Sequence, residues 1–234
     1  MKDHRLLVPK KKVYYKTTRS RKRFKEYPNL IKNIDITKPE QVWVSDVTYI
    51  KVSHRHYYLH LITDAYSKKI VGYTLSDNIS AESSLNALKM GLSKRLYPDR
   101  KLIHHSDRGS NYYSDLYLGY LKSKRIGISM TEQSDPYENA IAERVNGILK
   151  HEFGIGEGFT DYKMAKKEIS NAILLYNTRR PHLSCEMSTP EKAHISGKYK
   201  LRSWKKQFST TGMPVVENKS LFLEKNDTKS VNHF

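Results

Sequence analysis

Cysteine is almost missing from this chain: Cys185 is the one example in 234 residues. A lone thiol excludes an intramolecular disulfide and argues against thiolate zinc sites. The expected setting is a reducing cytosol. Long apolar runs are missing too. No segment approaches the roughly 20 apolar residues that a membrane span needs. Near the N-terminus the only apolar run is Leu6, Leu7 and Val8, too short for a signal peptide. No phosphate-cradling GxxxxGK[ST] occurs, so nucleotide hydrolysis is not indicated as an energy source. Acidic residues are scarce, 24 against 42 Lys and Arg, which leaves a formal charge of +18. Hydrophobic residues make up 38%, enough for one substantial core. Such an excess of positive charge calls for a polyanionic partner, nucleic acid ahead of anionic membrane.

That charge is unevenly placed. Residues 1–40 hold 13 Lys and Arg against 4 Asp and Glu, half of the total excess in about a sixth of the chain. The runs KKK at 10–12 and RSRKRFK at 19–25, which includes Lys22 and Arg23, lack apolar periodicity. A solvated arm and an arm that tracks a phosphate backbone are both compatible with them. The expected division is a basic arm over 1–40, a core with a helical extension over 41–196, and a basic irregular tail over 197–234.

Within the core, Val42–Val52 is β-branched or aromatic on both alternating faces, which suits a strand buried on both sides. Residues 56–64 and 69–76 read as two further strands joined as a hairpin. Leu85, Leu88 and Leu92 space a helix over 80–94. A strand at 101–105, a helix at 114–125, a strand at 126–131 and helices at 139–153 and 163–179 follow. Three antiparallel strands and then alternating helix and strand predict an α/β fold, a mixed five-stranded sheet flanked by helices.

Three acids stand in distinctive places: Asp46 mid-strand in WVSDVTYI, Asp107 after the strand in IHHSDRGSNY, and Glu143 within the helix ENAIAERVNGILK. A strand buried for packing alone rarely carries a carboxylate at its middle. Negative charge gathered at one sheet edge becomes tolerable when a cation neutralises it. Two hard divalent ions, Mg²⁺ with Mn²⁺ as substitute, suit such ligands and in-line phosphoryl transfer. On the last helix Ile141, Val145 and Ile148 form a packing stripe, whereas Asn139, Glu143, Gly147 and Lys150 form a polar one. Competing acids have blander readings. Glu152 shares the apolar stripe, Glu138 complements the helix dipole, and Asp64 closes the hairpin. The pairs His54/His56 and His104/His105 look only superficially like metal ligands. His105 reads as support behind Asp107 or as a phosphate contact.

At these residues the chain resembles the OrfB-type transposases of insertion sequences, whose catalytic core is similar to retroviral integrase and ribonuclease H. Trp43, Asp46, Thr48, Tyr49 and Ile50 match W-x-x-D-x-T-Y-I. His105, Ser106, Asp107, Gly109 and Tyr112 match H-S-D-x-G-x-x-Y. Pro136, Tyr137, Asn139, Ala140 and Glu143, then Leu149 and Lys150, match the P-Y-D-N-A-x-x-E helix ending in L-K. Tyr176, Asn177, Arg180, Pro181 and His182 match Y-N-x-x-R-P-H. The resemblance covers about residues 15–195, and the 35 residues between Asp107 and Glu143 fit it.

It implies a ribonuclease H-like fold and ligation of two Mg²⁺ by Asp46, Asp107 and Glu143. It further implies strand cleavage at element ends, followed by strand transfer into target DNA. Lys150, Asn139, Arg144, Arg180 and His182, with Lys22 and Arg23 of the arm, are the expected DNA contacts. A homo-oligomer would hold two ends together, and a helix-turn-helix would come from an upstream reading frame as partner or fusion. Glu138 departs from the usual Asp. Gly147 stands where integrases often carry Lys. The bare carboxylates also admit a nuclease without strand transfer. A non-catalytic DNA-binding relic is disfavoured, since phosphate binding gains nothing from clustered acids.

Overall fold

In the computed structural model, residues 27–32, 34–132 and 139–198 are described. Five strands form one sheet: β1 (Val42–Val52), β2 (Arg55–Asp64), β3 (Ile70–Ser76), β4 (Ile103–Ser106) and β5 (Gly127–Met130), in the order β3-β2-β1-β4-β5. The first three pair antiparallel through short turns, and β4 and β5 add in parallel. The crossovers are helical: α1 (Ala81–Ser93) precedes β4, and α2 (Asp115–Ser123) precedes β5. Then come α3 (Ala140–His151), α4 (Tyr162–Thr178) and α5 (Pro190–Ser196). The mixed sheet is the one the alternation of elements predicts, with each expected element displaced by two residues or fewer at its ends. The short helix α5 is additional. Its signals are a Thr189 hydroxyl that accepts from Lys192 N–H and a proline at the first helical position.

Both faces of the sheet are covered. One carries Ile50, Val52, Leu59 and Leu61 against Val145 and Leu149 of α3 and Ile169, Ile173 and Tyr176 of α4. The other packs Trp43 and Ile62 against Leu85 and Leu88 of α1 and Tyr117 and Leu121 of α2. The helix α1 sits so close to β3 that a Cβ at Gly72 would overlap Ala87 O and lie 2.9 Å from Gly91 N. Glycine at 72 is therefore a condition of this helix–sheet approach. Among the described residues, no helix is long and apolar enough to cross a membrane.

Part of the 1–40 segment is attached to this body. Leu30 N–H donates to Ser129 Oγ at 2.9 Å, Met130 N–H donates to Pro28 O at 3.3 Å, and Ile31 and Ile36 pack beside Val42 and Val44. Residues 1–26, with Lys22 and Arg23, and residues 199–234 of the tail lie outside the described residues.

At the opposite edge a buried polar knot fixes α5. Asp64 accepts from Glu40 N–H at 2.7 Å and from Ser67 N–H and Oγ at 2.8 Å, so it does close the hairpin. His194 of α5 lies between the two carboxylates, 3.4 Å from Glu40 and 3.7 Å from Asp64. Arg95 pairs with Glu40 at 2.9 Å.

Candidate active site

Asp46 owes its place to β1, which is fully paired with β2 on one side. On the other side β4 pairs only with Val42, Val44 and the residue between them. Past Val44 that edge of β1 opens toward α3, and Asp46 lies there half-buried. Its Oδ1 accepts from Val47 N–H at 2.9 Å, and its Oδ2 accepts from Asn146 Nδ2 at 2.7 Å. Asp107 follows the last residue of β4, at the end where parallel strands of an open sheet deliver loops. Its Oδ1 accepts from Gly109 N–H at 3.0 Å, and Arg108 Nε braces the same turn on Thr131 O at 2.7 Å. Glu143 lies exposed in the first turn of α3.

The three carboxylates share an electrostatic field. Asp46 is pushed up from 3.8 to about 6. Burial is the main cause, the charges of Asp107 and Glu143 add to it, and the bonds from Val47 and Asn146 oppose it. Burial also raises Asp107. Lys150 is the cation that reaches this field: burial lowers its pKa, while the charge of Asp46 raises it. The acids do not close into a cage, and no three His, Cys, Asp or Glu among the described residues converge tightly enough to hold an ion as they stand. Residues 133–138, which lead into α3, lie outside the described residues.

The integrase core domain family matches residues 36–136 and, by a second match, residues 124–190. The 31 kDa protein of insertion element IS600 from Shigella sonnei is 34% identical over 183 residues, 77% of this chain and 67% of that one. The chain belongs to the integrase-core family of insertion-sequence transposases. The transposase of IS904 from Lactococcus lactis is 33% identical over 166 residues, and InsF of IS3A from Escherichia coli is 33% identical over 155. These alignments cover 70% and 66% of this chain but span only 65% and 54% of the two relatives.

Among solved structures, the catalytic core of HTLV-2 integrase in complex with magnesium superposes with TM-score 0.54 at 19% identity. It covers 67% of this chain and 97% of that one. The simian T-cell lymphotropic virus intasome gives TM-score 0.58 at 20% identity, over 74% and 61%. The sheet and its helices are those of the ribonuclease H-like fold.

Within this integrase-type core the expected DNA contacts separate. Lys150 is half-exposed, with Nζ 4.9 Å from the centroid of the Tyr49 ring. Arg144 is exposed, but its charge acts on Glu152, Tyr176 and His182, away from the carboxylates.

Asn139 is not open to solvent. It is buried at the start of α3, where its Nδ2 donates to Ser45 O at 3.2 Å, so it ties the helix to β1 instead of meeting solvent. His182 is likewise buried, packed edge-on against Tyr176 and lowered to about 4, mainly by burial. Arg180 is engaged with Glu152, its Nε and Nη2 each 2.6 Å from a carboxylate oxygen. The same bond moves Glu152 from the expected packing stripe to an exposed clasp between α3 and the end of α4.

His105 is fully buried with Nδ1 2.8 Å from Ser129 Oγ, which removes the phosphate-contact reading. His104 lies between Ser45 Oγ at 2.6 Å and Tyr117 Oη at 2.8 Å, and burial lowers it to about 3. Sequence reasoning missed Asn146. It lies three residues after Glu143, on that side of α3, but a helical asparagine is by itself no sign of a carboxylate partner.

Proposed function

We propose that this chain is the metal-dependent catalytic core of a DNA transposase that cleaves strands at element ends and transfers them to target DNA. The observation that carries the reading is Asp46, a half-buried strand carboxylate whose proton affinity is raised by burial and by two further acids, Asp107 and Glu143. A fold gains no stability from that arrangement; a cation relieves it. The donor set fits hard divalent ions, two Mg²⁺ with Mn²⁺ as substitute, held by Asp46, Asp107 and Glu143. Two such ions supply Lewis-acid activation of an attacking hydroxyl and charge neutralisation at the leaving oxygen.

The protein's own residues orient and neutralise. Val47 N–H and Asn146 Nδ2 fix both oxygens of Asp46. Arg108 and Gly109 hold the loop that presents Asp107. Lys150 offers its charge to a DNA phosphate beside them. The partners that follow are element ends and target DNA, with a second copy of the chain to hold two ends. The basic segments flanking the core, 1–40 and 197–234, extend the phosphate contacts. End recognition by an upstream-frame helix-turn-helix completes the assembly.

The test is Mg²⁺- or Mn²⁺-dependent transesterification on a branched DNA that mimics the joined product, comparing wild type with Glu143→Gln. Rejoined strands from wild type alone are expected. Hydrolysis without rejoining would replace strand transfer with a nuclease, and equal activity of the two proteins would remove Glu143 from the site.

A further inference from the structure

Aromatic side chains on the strands of this sheet are mostly covered, and Tyr49 is the exception. Trp43, on the same side of β1, is fully buried under α1 and α2, whereas Tyr49 is 61% exposed. Tyr49 lies beyond the point where β4 stops pairing with β1 and where the helices of that face stop covering it. Its ring is nevertheless held. Lys150 Nζ sits 4.9 Å from the centroid, a cation–π distance, and the His56 ring meets it edge-on at 6.0 Å and 72°. Lys51 and Arg55, both exposed, add positive charge on the same two strands. The result is an aromatic plane fixed by one cation, bordered by others, with much of its surface in water.

Nucleobases stack on such planes while their phosphates meet the neighbouring cations, and the interaction tolerates any base because every base has a π-face. Lys150 links this plane to the carboxylates, since its ammonium is within the field of Asp46 and also over the Tyr49 ring. Tyr49 is three positions along the strand from Asp46, about 10 Å, or about three stacked base steps. Successive side chains alternate faces, so a nucleic-acid strand passing from Asp46 to Tyr49 must cross the unpaired edge of β1. An unpaired strand can make that turn, whereas a stacked duplex resists it.

We propose that Tyr49 is a stacking platform for an unpaired DNA base a few nucleotides from the reacting phosphate, with Lys150 bound to the phosphate beside that base. The inference rests on the transposase reading for the identity of the DNA, but its test needs no turnover.

The full chain is mixed, in chelator, with the branched DNA carrying 2-aminopurine at successive unpaired positions near the branch. Wild type and Tyr49→Phe are expected to quench one position strongly. Tyr49→Ala is expected to lose that quench and to bind about 5- to 100-fold more weakly at a salt concentration that suppresses the basic arm. In a parallel experiment on wild type, 5-iodouracil at the quenched position is expected to cross-link to β1 at Tyr49. Unchanged quenching and affinity in Tyr49→Ala, or a cross-link that maps elsewhere, would overturn the platform. Because Glu143 takes no part in this readout, loss of rejoining in Glu143→Gln and loss of stacking in Tyr49→Ala report separately on the two readings.

Discussion

Asp46 shows at the scale of one residue how a site can work against its own fold. Its carboxyl binds a proton more tightly in the folded chain, at about 6, than the ordinary 3.8. For an acid with a raised pKa, the cost to folding is absent below the unfolded value, grows between the two values, and is complete above the folded one. At pH 7.5 without metal, that cost is up to about 3 kcal/mol. Asp46→Asn is therefore expected to melt about 5–10 °C higher than wild type in chelator, and to give no rejoined DNA. Adding Mg²⁺ or Mn²⁺ should narrow the gap by stabilising wild type, by about 2.7 kcal/mol at a hundredfold excess over Kd. A mutant that melts lower than wild type in chelator would refute this account. The carboxylate itself was legible because a charged residue interrupts an apolar strand. Its partner Asn146 was not, because an asparagine on a helix is most often a solvated one, and its amide reaches Asp46 only once α3 is laid across β1.

Among the elements, α3 separates what a helical repeat can tell from what it cannot. The stripe of Ile141, Val145 and Ile148 does face the sheet, joined by Ala142 and Leu149. The polar stripe divides, however. Asn139 is drawn under the helix start to reach Ser45 O, while Glu143 stays in solvent. Periodicity fixes a residue's azimuth, but the burial of a helix end depends on which strand passes beneath it. Gly147 gives the element a simple test. A Cβ there meets nothing within 4 Å, so no close approach demands glycine. Gly147→Ala is expected to stabilise the chain by about 1 kcal/mol, a rise of about 2–4 °C, with rejoining activity retained. A lower melting temperature would reveal a contact at that position. The helix α5 escaped the apolar-spacing argument because its seven residues complete barely two turns. Its local signs were the Thr189 cap, the proline and Gly197 in the left-handed conformation at its end.

Across the whole molecule, the knot around His194 joins the start, middle and end of the core. Burial pulls the imidazolium down, but its bonds to Asp64 and Glu40 prevail, and its pKa is raised from 6.5, with Lys69 opposing. Burial pulls Glu40 up, yet His194, Arg95 and the N–H groups of Leu96 and Tyr97 bring it to about 2. A histidine with a raised pKa contributes stability that is complete below about 6.5 and lost as pH rises through the folded value. Wild type is accordingly expected to lose melting temperature as pH climbs through that range. His194→Gln should lack this slope and be less stable by about 3–5 kcal/mol at pH 6, because two buried carboxylates lose their shared partner. Identical pH profiles of thermal melting would exclude the knot as the source. None of this was readable from residue order, since Glu40, Asp64 and His194 belong to segments with no common motif.

The span of that knot also bears on how the chain is made. Ser67, which bonds both Asp64 and His194, leaves the ribosome 127 residues ahead of the histidine. At about 5–20 residues per second, the interval is of the order of 6–25 s. For that time Glu40 has Arg95 as a partner, but the histidine it shares with Asp64 has not yet been synthesised. A chain that ends before α5 carries the whole acidic triad without that histidine, and is expected to be cleaved faster by protease than the full chain. On this account α5 ties the stability of the core to synthesis of its C-terminal part.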